Sequence, residues 1–257
     1  MNMPSIGIAG MIAGLCLSGN ALAYTTWECL GEKLKWDTNS VTMRSSAVSF
    51  PAGAWRDSLV TAINRVNQNP SQFRFGATHG DTSVGFNNGQ NEVWFTNDDG
   101  ILRGAPARTV WRYDCIDYWI YGKEVEITEA DIFFDNRVAY TTSMTKTSLL
   151  NYGGSGRPFQ TTAIHELGHG AGLAHTNNTY NIMGQDWTHI HVNGSTAMAY
   201  FGEDASNAMG YLYGLNGGNI EDLGVVHWRR TGASGEYSTH GKTRLLDNAG
   251  GNLSSFT

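Results

Sequence analysis

The chain has 257 residues, 40% of them hydrophobic and 16% charged, with a formal net charge of -6. That length supports one large domain with a small appendage rather than two full domains. The charge balance offers no surface for nucleic acid or an anionic membrane, and an aromatic share of 11% excludes a disordered chain.

The first element in chain order is the apolar run Ile6 to Leu17, followed by "SGNALA" ending at Ala23. Residues 1–23 read as a secretory signal peptide, too short for a membrane span, which needs about 20 apolar residues. Cys16 leaves with it. The mature chain keeps Cys29 and Cys115, and two cysteines in an oxidising compartment suggest one disulfide. Ser40 to Phe50 alternates apolar and polar residues and predicts a strand. The next segment sets Trp55, Leu59, Ala62, Ile63 and Val66 on one helical face, with Asn69-Pro70 as its stop. "QFRFGA" and "NEVWFTN" predict strands on either side of the turn "FNNGQ". Residues 109–121 and Glu129 to Asn136 predict two more, giving five strands. Thr141 to Pro158 is polar and then glycine-rich, hence a loop, and Pro158 is placed in the first turn of a helix whose Ile164, Leu167 and Ala171 face the core. After a second loop, residues 195–214 predict a helix ended by Gly214, and residues 215–257 shift to turns and short strands.

The third helix carries "HELGHGAGLAH", His165 to His175. His165 and His169 lie four apart, so both rings project from one face, roughly 6 Å apart along the axis. That spacing lets two imidazoles reach one metal ion. Glu166 stands beside the first of them, where its carboxylate can take a proton from a water and return it to a leaving amine without itself ligating. His175 can reach the same ion only if the chain leaves the helix first, and Gly172 supplies the positive φ that allows it. Three histidines with a fourth position open is the catalytic zinc arrangement. A lone histidine pair on a helix is more often a surface or satisfied core pair; Gly172 and His175 at the demanded spacing set this pattern apart.

With "NIMG" following, the motif resembles the metzincin clan of zinc peptidases, in which a methionine, here Met183, forms an apolar floor beneath the ligands. The segments "SFPAGAWRDSLVTAINRVNQ", "EADIFFDN", "FQTTAIHELGHGAGLAH" and "NAMGYLYG" are similar to bacterial matrixin-type members, over about residues 40 to 214. The resemblance implies an α+β metzincin-like catalytic domain over residues 24–214. Its twisted mixed five-stranded sheet would have an antiparallel edge strand, with an active-site helix and a C-terminal helix; the turns and short strands read over residues 215–257 would form a small β-rich C-terminal extension. It also implies a zinc endopeptidase acting on protein or peptide substrates laid extended along the edge strand; with the signal peptide, a secreted or periplasmic protein is expected, as a monomer. Gln185 stands where astacin- and serralysin-like members carry a tyrosine, so no tyrosine is assigned to the oxyanion. The rival readings are a zinc-dependent binding module without turnover and a peptidase targeted to surfaces or carbohydrate by residues 215–257.

Weaker patterns complete the reading. His79 and Asp81 resemble half of the matrixin structural zinc site, with a polar loop the stronger reading. Asn97 to Gly100 offers hard oxygens to Ca2+, with a solvated turn preferred. His189 and His191 line the cleft or the surface. Cys29 has a second reading, as a thiolate plug on the zinc like the propeptide cysteine of animal matrixins. Its flanks "WECLGEKLKW" lack that family's Arg-Cys-Gly signature, and the compartment favours pairing with Cys115.

Overall fold

The computed structural model describes residues 24–82, 85–120, 122–143, 157–176, 182–184, 190–193, 196–199 and 201–216. The expected signal peptide, Gln185, His189 and residues 217–257 of the expected extension lie outside the described residues.

Five strands form the main sheet: β1 (Ser40–Ser46), β2 (Arg74–Asp81), β3 (Asn91–Thr96), β4 (Ala107–Asp117) and β5 (Lys123–Asp135). Their order is β2-β1-β3-β5-β4. The first four run parallel and β4 closes one edge antiparallel to β5. This is the mixed α+β sheet with an antiparallel edge strand that the resemblance implied. In β1, Val41, Met43 and Ser45 are buried in alternation, as a strand with one face on the core requires. β5 is buried continuously from Glu129 to Asp135 because it lies between β3 and β4 and is covered on both faces.

The helices are α1 (Ala54–Val66), α2 (Phe159–Gly170) and α3 (Glu203–Tyr213). α1 buries Leu59, Ala62, Ile63 and Val66 as the periodicity predicts. Trp55 meets Phe95 and Phe159 edge-on, with centroids 5.4 Å away in each case. Phe159 lies 4.8 Å from Phe134, so the first residue of α2 is anchored to β5, beside the edge strand. That anchor sets where the histidine-bearing helix starts.

Several boundaries differ from the sequence reading. β5 begins at Lys123, six residues before Glu129, because "KEVEI" pairs with the outer half of β4 as a hairpin arm; its charges concealed it. β2 runs on through Asp81, pairing with β1, so His79 and Asp81 lie on a strand and not in a loop. His79 Nδ1 is 2.6 Å from Ser45 Oγ. Pro158 is extended (ψ 118°) and stands just before α2 instead of inside its first turn. The predicted helix over residues 195–214 is shorter: Thr196–Ala199 is a strand paired antiparallel with Ile190–Asn193, which carries His191. Gly202, at φ 82°, breaks the path before α3 begins. Asp98 caps a helical turn, Asp99–Leu102, by accepting from Gly100 N and Ile101 N. Asp99 pairs with Arg137 at 2.6 Å, so both carboxylates of the expected solvated turn have partners.

On the sheet face opposite Phe134, alternation along β5 places Glu129, Asp131 and Phe133 together. Phe86 covers Phe133, and the backbone N–H groups of Asn87 and Gly89 donate to the two oxygens of Glu129 at 2.7 and 2.6 Å. Gly85 N donates to Glu92, and Glu92 N to Asp131 Oδ1, each at 3.0 Å. Three buried carboxyls so close cannot all ionise cheaply. Burial, reinforced by Glu129 and Glu92, pushes the Asp131 carboxyl up to about 8. A raised carboxyl keeps its proton in the folded state while the unfolded chain loses it, so stability falls as pH rises from about 4 to about 8, by up to about 1.4 kcal/mol per pH unit. Asp131→Asn, which keeps the acceptor for Glu92 N, should melt higher than the native protein at pH 8.5 and at the same temperature near pH 4. Parallel melting curves at both pH values would refute the buried proton.

Candidate metal centre

α2 ends where its sequence runs into small residues. Ala171 and Gly172 follow Gly170, and Gly172 adopts φ 91°. A Cβ there would sit 2.5 Å from Leu34 O, so only glycine fits both the dihedral and the space. The chain turns back, and Leu173–Ala174 pairs antiparallel with Thr25–Thr26. The last carbonyls of a helix lack partners within it, and here aromatic donors supply them. Trp36 Nε1 donates to Gly170 O at 2.7 Å, Trp111 Nε1 to His169 O at 2.9 Å and Tyr213 Oη to Ala171 O at 2.8 Å.

This turn brings His175 against the helix. The three Nε2 atoms of His165, His169 and His175 are 3.1 Å apart pairwise. His165 Nδ1 lies 2.6 Å from Ile182 O and His169 Nδ1 lies 2.8 Å from Leu173 O. A carbonyl only accepts, so both Nδ1 atoms carry the proton and both Nε2 atoms present lone pairs. Lone pairs facing one another across 3.1 Å repel unless a cation lies between them. Tetrahedral zinc, with bonds of about 2.0–2.1 Å, sets its nitrogens roughly 3.4 Å apart, close to the observed triangle. The donor set therefore fits zinc. Burial holds the three imidazoles below their ordinary range, helped by Arg157 at His165 and by neighbouring histidines at His169 and His175, which keeps them neutral and able to ligate.

Met183 is buried beneath the helix. A Cβ on Gly168 would collide with its sulfur, so the first glycine of the motif makes room for that side chain. The same turn supplies Ile182 O to His165, and Met183 O accepts from Thr176 N at 3.0 Å, steadying the chain just past His175. Gly168→Ala should lower stability by about 1–3 kcal/mol through overpacking and weaken zinc binding, measured by chelator competition. An unchanged melting point with unchanged affinity would refute the close fit.

Glu166 is buried on the side of α2 facing β4. Thr109 Oγ1 donates to Glu166 Oε2 at 2.7 Å. Burial pushes the carboxyl up to about 7 against the opposing pull of Thr109, Arg157 and Arg108. Alongside lies a cavity of about 590 Å³ bounded by residues 105–111 of the edge strand and its approach, by Arg157, Thr161 and Thr162, and by the three histidines. Thr109, Trp111 and Trp36 were not singled out from sequence; their only signal was a place in apolar, β-prone stretches.

Among the described residues, the other trio of His, Cys, Asp or Glu close enough to share an ion is Asp114, Glu124 and Glu126, on the hairpin arm. His79 and Asp81 belong to neither group. Cys29 and Cys115 form a disulfide with Cα atoms 6.2 Å apart, so the Cys29 sulfur is held on the hairpin arm and not on the histidines.

Three convergent imidazoles over a buried methionine, beneath an antiparallel edge strand, define a metallopeptidase of the metzincin class. The family model for matrixins matches residues 35–214; the chain belongs to the matrixin family, whose members are zinc-dependent endopeptidases. A search of curated proteins finds no match.

Proposed function

We propose that the protein is a secreted zinc endopeptidase in which His165, His169 and His175 hold the ion and Glu166 is the general base and acid. The convergence of three Nε2 atoms at 3.1 Å, with the Nδ1 protons of His165 and His169 held outward by carbonyls, carries this reading. Zinc held there would polarise the scissile carbonyl and make a neighbouring water acidic enough to lose its proton near neutral pH. Glu166 takes that proton as the oxygen attacks the carbonyl carbon. As the C–N bond breaks, it delivers the proton to the departing nitrogen. Thr109 orients the carboxyl throughout, and the free edge of β4 supports an extended peptide by main-chain pairing. Secretion is supported by the apolar run at residues 6–17 and by the Cys29–Cys115 disulfide; among the described residues no helix is long and apolar enough to cross a membrane.

The test is cleavage-site mapping on a complex peptide mixture. The zinc-loaded protein should cut internal bonds, hold about one zinc per chain and fall silent with a chelator or as Glu166→Ala. Full zinc retention by His175→Ala would sink the ligand assignment.

A further inference from the structure

We propose that the cavity beside the histidines selects a substrate residue bearing a carboxylate, on one side of the bond that is cut. This rests on the endopeptidase reading and names its substrate class. Three arginines line the cavity, Arg103, Arg108 and Arg157, against one carboxyl, Glu166, among the described residues. They arrive from three elements. Arg103 follows the short helical turn in a left-handed conformation with φ 51°, Arg108 lies on β4, and Arg157 precedes the N-cap Pro158 of α2.

Arg108 carries the argument furthest. Its guanidinium is partly buried, enough to hold it below its ordinary basicity. Nη1 donates to Ile101 O at 2.6 Å, and Arg108 makes no salt bridge among the described residues. A guanidinium has five N–H donors in a fixed fork that matches a carboxylate. The cavity that Arg108 lines leaves its remaining donors open to solvent or to an incoming carboxylate. Arg157, whose Nε donates to Thr162 Oγ1 at 3.1 Å as one of its interactions, lines the same cavity. Both arginines line the same cavity as Glu166 and the three histidines, so a side chain they bind belongs to a residue flanking the reacting bond. Leu102, Pro106 and Ile182 complete the walls; they suit the methylene stem of glutamate and leave its carboxylate to the arginines.

The same chemistry could be offered by an aspartate or glutamate side chain or by a free C-terminal carboxylate, and the inference commits to the side chain. The experiment first maps cleavages in a peptide mixture to find which flanking position is enriched in Asp and Glu. It then compares C-terminally amidated peptides with Glu, Gln or Leu at that position. Glu should exceed Gln by about tenfold in kcat/KM, the size of one charge-assisted hydrogen bond. The Glu/Gln ratio should fall toward one in Arg108→Met and in Arg157→Met; a ratio is insensitive to general loss of active protein. Equal rates for Glu, Gln and Leu in the native protein would overturn the preference alone, as would a ratio unmoved in both variants. Cleavage confined to residues next to a free C-terminus would overturn it in favour of carboxylate capture. If the zinc-loaded protein cuts no peptide, the endopeptidase reading itself fails and the preference falls with it.

Discussion

Glu166→Gln should lose about 10²–10⁴-fold in kcat/KM while still binding zinc. Gln has the same shape, and its amide oxygen can accept from Thr109 Oγ1 as Oε2 does at 2.7 Å, so the cleft should keep its geometry. What disappears is a group that can take and return a proton. Stability should not suffer. The native carboxyl is pushed up to about 7 by burial, so in the zinc-free protein its ionisation opposes folding as pH rises from about 4 toward 7, and a neutral amide carries no such penalty. The expected pattern is therefore a dead enzyme with native zinc content and a zinc-free melting temperature at neutral pH at least as high as the parent's. Metal by mass spectrometry, turnover on a mapped peptide and a thermal melt measure it together. Near-native turnover would sink the proton-transfer role.

The second large effect belongs to the disulfide. Cys29 and Cys115 close a loop across a separation of 86 residues, and chain entropy assigns a loop of that length about 4–5 kcal/mol. That is a major part of the roughly 5–15 kcal/mol by which domains are stable. The N-terminal strip it anchors also closes the end of α2. Trp27 N donates to Gly172 O at 3.3 Å, Leu34 O lies over Gly172 and Trp36 holds Gly170 O. The double variant Cys29→Ser, Cys115→Ser should unfold at markedly lower urea concentration and bind zinc more weakly, because His175 follows directly from the strand that pairs with Thr25–Thr26. A native unfolding midpoint in the double variant would refute the staple. So would two free thiols by intact mass in unreduced secreted protein.

The histidine cluster was legible because its determinants are local. A four-residue helical spacing, a glycine that must turn and a third histidine all lie within eleven consecutive residues, and chemistry constrains each of them. The strands whose outward positions are polar and inward positions apolar were legible for the same reason. Pairing across the fold was not. Nothing in "TVWRYDC" says that Thr109 will meet Glu166 or that the Trp111 indole will cap a helix carbonyl, since both depend on the register between the edge strand and α2. The start of β5 was missed because "KEVEI" is stabilised by its partner strand more than by its own apolar content. The buried proton of Asp131 was hidden because its cause is the approach of Glu92 and Glu129 from other positions in the sheet.

The pairing of Thr25–Thr26 with Leu173–Ala174 also constrains the order of events during biosynthesis. The segment made first among the described residues has no seat until residues beyond 170 have emerged from the ribosome, so it waits while most of the sheet is synthesised. Its docking shuts the end of the active-site helix and steadies the approach to His175. The histidine triangle is thus completed late, after translation of the helix itself, and a chain that stops short of residue 175 lacks one of its three imidazoles however much of the sheet has formed.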